Sequence, residues 1–180
     1  RAREQLASVR GRLDEARASF EQLLRLQPSH FGAHLLLASV NIAQGHPRGA
    51  AGELLAAARA LPSDPAAIVR VAQALRPLGE TNAVRALLAH PLLARANNPH
   101  VLMTAAHVQQ ELGEHARALA LMDRALALGL DNPDVRYLRA VQLQFHGRLA
   151  DAEAELEHCL RMGPTYGRAS LMLARLRRAT

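Results

Sequence analysis

The chain of 180 residues has no lysine, no tryptophan and a single cysteine. The lone Cys159 excludes an internal disulfide framework and a zinc site built from several cysteines. Aromatic residues are limited to Phe20, Phe31, Tyr137, Phe145 and Tyr166, so the core must be aliphatic. The same scarcity removes the platforms on which nucleic-acid bases stack, and nucleic acid is not an expected partner. β-Branched residues are few beside 36 alanines and 32 leucines, which favours helix over sheet. No apolar run reaches the length of about 18 residues that a spanning helix needs, and no signal-peptide pattern is present. A membrane is therefore not an expected partner, and a cytoplasmic setting is preferred, although nothing in the sequence fixes the compartment.

What the sequence has is apolar mass and arginine. Hydrophobic residues make up 49% of the chain, enough to bury a core. With no lysine, all 22 basic side chains are guanidinium groups, set against 16 acids for a net charge of +6. Arginine suits bidentate recognition of carboxylates and phosphates. GC-rich codon usage is the simpler source of the bias. The chain opens on Arg1 rather than Met, so it is expected to be a piece of a longer protein.

A repeat of 34 residues organises the sequence. Glycines stand at Gly11, Gly45, Gly79, Gly113 and Gly147, and alanines at Ala38, Ala72, Ala106, Ala140 and Ala174. A second small-residue series reads Ala16, Ala50, Val84, Ala118 and Ala152; a larger apolar one reads Phe20, Leu54, Leu88, Met122 and Leu156. Pro28, Pro62 and Pro164 share one phase. Independent series agreeing on one period identify a solenoid of stacked units.

Each period resolves into two helices, for example about 99–112 and about 115–129. Asp64-Pro65, Asn98-Pro99 and Asn132-Pro133 mark helix starts, where Asp or Asn caps open N–H groups and Pro has no N–H to lose. The repeated glycine ends the first helix of each pair. Pro91 falls inside the second helix of its repeat, so a break is expected at His90-Pro91, with 92–96 forming a separate short turn.

No catalytic constellation stands out. The glycines are spread at repeat spacing and form no phosphate loop. Cys159 reads as a packed thiol. His30 and His34 are four apart but lack a third ligand. His100 and His107 share a stripe with Glu111, better read as a solvated wall, so no metal or cofactor is expected. Asp151, Glu153, Glu155 and Glu157 read as a solvated outer face. Arg161, Arg168, Arg175, Arg177 and Arg178 lie in a C-terminal stretch free of acids, open to phosphate, to an anionic surface or to the rest of a longer protein.

These residues resemble the tetratricopeptide repeat (TPR) family, whose period is also 34. With Phe31 as position 1, the small residue of position 8, the glycine of 15, the alanine of 20 and the proline of 32 fall on the series above. The resemblance covers the whole chain as one domain, 1–180: about five repeats plus a C-terminal helix. Positions 4 and 11 depart from the pattern. They carry His34 and Asn41, Ile68 and Leu75, Leu102 and Gln109, then Arg136 and Leu143, where large aromatics are usual.

The resemblance implies an all-α fold, a right-handed α-solenoid of antiparallel helix pairs. It also implies a protein-interaction scaffold without catalytic activity that binds a peptide or protein segment in its concave groove. Groove positions 2, 5, 9 and 12 map onto Leu35, Ser39, Ile42, Val69, Gln73, Arg76, His100, Met103, His107, Gln110, Tyr137, Val141 and Gln144, with Asp134 the one acid. The lysine and asparagine pattern with which some TPR domains clamp acidic chaperone tails is missing. With Arg76 as the one guanidinium of the central wall, no useful affinity for such tails is expected. The closing Ala174-Arg175-Leu176-Arg177-Arg178-Ala179-Thr180 resembles the junction in bacterial proteins that fuse TPRs to a sulfotransferase. The alternative role is thus a recruiting, non-catalytic front end of such an enzyme. Leu171, Leu173 and Leu176 must pack back or stay exposed, which makes self-association through an end the further expectation.

Overall fold

The computed structural model describes residues 2–179. Among these the regular structure is helical. In chain order the helices are α1 Ala2–Leu26, α2 Phe31–Ala43, α3 Pro47–Arg59, α4 Pro65–Leu75, α5 Thr81–Leu88, α6 Pro91–Ala94, α7 Pro99–Glu111, α8 His115–Ala127, α9 Pro133–Phe145, α10 Leu149–Met162 and α11 Gly167–Ala179. A 3-10 turn at Arg76–Leu78 follows α4, where Pro77 supplies no N–H to continue the helix. No helix among the described residues is long and apolar enough to cross a membrane.

The starts form as the sequence predicts. Asp64 Oδ1 accepts from the Ala66 N–H at 2.9 Å, Asn98 Oδ1 from His100 at 3.0 Å and Asn132 Oδ1 from Val135 at 3.0 Å, each with Pro at the first turn. α2 has a cap the sequence did not advertise: His30 Nδ1 accepts from the Ala33 N–H at 3.0 Å. The chain forms two compact units, Arg1–Ala94 and Arg95–Thr180.

In the first unit α2 packs against α1 and α3, and α4 against α3 and α5. Ala38 and Ala72 are almost fully buried beside Leu54, Ile68 and Leu75. Such small side chains let paired helices approach closely. Gly45 and Gly79 turn the chain with φ of +76° and +80°. Gly11 does not: α1 runs through it as one helix of 25 residues, correcting the expectation that each glycine of the series ends a helix. Gln5 and residues 7–10, which precede it, are exposed along this helix. The break in the third repeat is present. α5 ends at Leu88 and α6 occupies only Pro91–Ala94, since Pro91 cannot donate to the preceding turn.

In the second unit α7 pairs with α8 and α9 with α10, and α11 closes against α10. Leu119, Ala140, Leu143, Ala152, Leu156 and Cys159 form one core with Ala169, Leu173 and Leu176 from α11. Two of the three leucines expected to seek cover at that end thus find it within the unit; Leu171 stays 56% exposed.

Where the family's aromatics are missing, other contacts fill their places. His34 Nδ1 meets Glu53 Oε2 at 2.7 Å and its Nε2 donates to the Pro28 carbonyl at 2.8 Å. Asn41 Oδ1 accepts from Arg17 at 2.7 Å. Arg136 bonds both Asp131, at 2.7 Å, and Glu155. The hydrogen bond from Arg136 holds the Asp131 carboxyl below its usual range.

Candidate peptide-binding groove

Apart from Arg76, which lies in the 3-10 turn after α4, the predicted groove residues lie on the first helices of the two units. In the first unit α2 carries Leu35, Ser39 and Ile42. Ile42 is 51% exposed, while Ser39 Oγ donates back to the Leu35 carbonyl at 3.0 Å. α4 carries Val69 and Gln73, and Arg76 opens the 3-10 turn that follows it. Gln73 and Arg76 are exposed, but Val69 is only 3% exposed and belongs to the core. The first unit also has two open clefts. One, of about 430 Å³, lies along Pro47, Arg48, Ala51, Gly52 and Leu55; the other, of about 290 Å³, lies along Arg10, Leu13 and Gln44. Neither contains a predicted groove residue.

In the second unit α7 presents His100 and His107 to solvent, with Met103 and Gln110 half-buried beside them. His107 Nε2 stands 3.7 Å from Glu111, a contact between neighbouring turns of one helix. α9 adds Tyr137 and Val141, half-buried, and the exposed Asp134 and Gln144. Tyr137 packs on the Tyr166 ring with centroids 5.5 Å apart. Tyr166 in turn donates its hydroxyl to Asp134 Oδ1 at 2.7 Å. Burial, reinforced by that carboxylate, pushes the Tyr166 hydroxyl up to about 12. The one acid of the wall is thus tied to a tyrosine.

The same phase continues onto α11. Advancing the 34-residue phase from Asp134, Tyr137, Val141 and Gln144 gives Arg168, Leu171, Arg175 and Arg178 on α11, all exposed. Arg76 remains the one guanidinium of the central wall, and these three arginines stand at its C-terminal end.

Two other readings also change. Glu155 is not a solvated outer residue: its side chain is 12% exposed and is held by Arg136 and Arg139. Arg177, grouped with the free basic stretch, is tied to Glu153 at 2.6 Å and to Glu157. Cys159 has no exposed surface and donates its thiol to the Pro133 carbonyl at 3.2 Å. Burial and nearby Asp134 push that thiol up, away from a reactive thiolate.

No curated protein sequence matches the chain. A sequence model described as tetratricopeptide repeat matches residues 5–65. Among solved structures, similarity extends to YrrB, described as a TPR protein with an unusual peptide-binding site. That match has 17% identity and a TM-score of 0.70, over 93% of this chain and 87% of YrrB. MamA from Desulfovibrio magneticus matches at 16% identity and a TM-score of 0.66, over 83% of this chain and 84% of its own. PilF of Pseudomonas aeruginosa matches at 20% identity and a TM-score of 0.62, over 94% of this chain and 78% of its own. At these identities the solved structures establish the fold. Residues 5–65 thus carry the tetratricopeptide repeat signature, and the 34-residue period and paired-helix architecture give the described residues the fold of the solved TPR proteins.

Proposed function

We propose that this chain is a non-catalytic interaction scaffold that holds a peptide or protein segment on the wall of its first helices. The observation that carries this reading is the surface of the second unit. There Met103, Tyr137 and Val141 are half-buried apolar anchors, flanked by the exposed polar groups of His100, His107 and Gln144. Half-buried aromatic and thioether side chains amid adaptable hydrogen-bonding groups are the composition of a peptide-recognition surface. Met adapts its shape to the ligand, and Tyr contributes large area with little entropy to lose. The description of YrrB as a peptide-binding TPR protein is in keeping with this role.

Selection from a displayed random-peptide library, followed by calorimetry on one selected peptide, tests it. Met103→Ala and Tyr137→Ala are each expected to weaken binding by about tenfold or more, the range of a hot-spot truncation. Arg117→Ala, on the exposed side of α8, is expected to change little. Equal losses at Arg117, or none at Met103 and Tyr137, would overturn the reading.

A further inference from the structure

Arg168, Arg175 and Arg178 share one face of α11. That helix seats Ala169, Leu173 and Leu176 in the core of the second unit. At about 100° per residue, the three arginines fall within an arc of about 80° on the opposite side. All three are exposed, and among the described residues none pairs with an acidic side chain. The acids of the adjacent helix pair are already engaged. Asp134 holds Tyr166, Asp151 holds Arg148, Glu155 holds Arg136 and Arg139, and Glu153 and Glu157 hold Arg177. Like charges on one helix face weaken the helix, so folding alone does not account for the strip. Leu171 lies between Arg168 and Arg175 on this face, 56% exposed.

We propose that this face of α11 binds an acidic, extended peptide segment, whose carboxylates accept hydrogen bonds from Arg168, Arg175 and Arg178 around an apolar side chain seated on Leu171. The proposal rests on the groove reading above and specifies the chemistry of its ligand. The spacing supports it. Along α11 the arginines are separated by about 10.5 Å and about 4.5 Å at 1.5 Å per residue. Carboxylates about three residues apart and then one or two apart on an extended chain match this at about 3.3 Å per residue. The planar guanidinium is suited to two parallel bonds to one carboxylate. A membrane surface fits less well, because Leu173 and Leu176 point into the core and leave no apolar face for insertion. A phosphate backbone fits less well, because an exposed leucine interrupts the charges and gains nothing from phosphate.

The test uses the whole chain and four probes. These are a labelled peptide Glu-Asp-Leu-Glu-Asp-Glu flanked by Gly-Ser, its Gln/Asn analogue, an oligothymidylate of equal charge, and phosphatidylserine vesicles. The acidic peptide is expected to bind, and Arg168→Gln/Arg175→Gln/Arg178→Gln together to weaken it more than about tenfold at an unchanged melting temperature. Arg161→Gln, an exposed arginine of α10, is expected to cost less than about twofold. Binding is expected to fall as salt rises. No binding of the acidic peptide, no loss in the triple variant, or an equal loss at Arg161 would overturn the proposal. Tighter binding of the oligonucleotide or the vesicles through the same arginines would overturn it too. So would an uncharged analogue that binds as well, ignores the triple variant and is lost with Tyr137→Ala, although that outcome leaves the groove reading standing.

Discussion

Arg136 donates from one Nη to both carboxylate oxygens of Glu155, at 3.0 and 3.2 Å. Three repeats earlier, His34 makes the corresponding contact with Glu53 at 2.7 Å. Both pairs join position 4 of a first helix to position 23 of its second. In the two repeats between, Ile68 and Leu102 stand at position 4, both fully buried. The position that usually carries a large aromatic is therefore filled by alternative means, by aliphatic packing or by a polar pair.

Glu155 should matter more than its acidic neighbours. Removing it as Glu155→Ala leaves two guanidinium groups short of a partner in a partly buried place. The expected cost is about 2 kcal/mol, below the range for fully buried pairs. Glu153→Ala breaks a contact to the solvent-exposed Arg177 and is expected to cost far less. Urea unfolding followed by circular dichroism checks both; equal effects would contradict the buried-pair assignment.

Two glycines of one series should respond in opposite directions. Gly147 has φ of +70°, whereas Gly11 sits inside α1 with nothing within 4 Å of an added Cβ. Gly11→Ala is expected to stabilise by about 0.5–1 kcal/mol. Gly147→Ala is expected to destabilise by about 1–2 kcal/mol, the cost of a side chain in left-handed backbone. Thermal melts of the two variants decide it, and a loss of stability in both would show that α1 is broken at Gly11.

That pair also marks how far the sequence could be read. Gly11-Arg12-Leu13 and Gly147-Arg148-Leu149 are the same local signal. One is helix and the other a turn, because Ala140, Gln142 and Leu143 precede the second and bury themselves on folding back. Signals that act within a few residues were legible: the Asp64, Asn98 and Asn132 caps, and the break at Pro91. The period likewise put Met103 and Tyr137 on first helices, α7 and α9. Interactions between helices were not legible. Glu155 alternates with its neighbours as a surface acid would, and only the approach of Arg136 and Arg139 encloses it. Val69 obeys the groove phase, yet it is buried in the core.

Gln109 offers a stabilising change. It is 4% exposed at position 11, and its Oε1 lacks a hydrogen-bond partner. The same position holds buried Leu75 and Leu143 in other repeats. Gln109→Leu is expected to raise stability by about 1 kcal/mol, since it removes an unsatisfied buried acceptor. Chemical denaturation measures this, and a loss of stability would mean that the amide is satisfied in solution.

Tyr166 should ionise late. With Tyr137→Phe it is the one tyrosine left, and the chain has no Trp to interfere. Tyrosinate absorbance at 295 nm is expected to rise with a midpoint of about 12 in the folded chain, against the ordinary 10.0 when unfolded. The sign for stability follows. Between those values the unfolded chain has lost the proton while the native state keeps it, so stability falls as pH rises through that window. A folded-state midpoint near the ordinary value would contradict the Tyr166–Asp134 contact.

The central claim is that ligands are held by first helices. Amide hydrogen exchange of the chain with and without a library-selected peptide tests it most directly, because it maps the footprint with no residue altered. Slowed exchange confined to α7, α9 and α11 in the second unit is the expected result. A footprint on α8 and α10, with the first helices unchanged, would contradict the account.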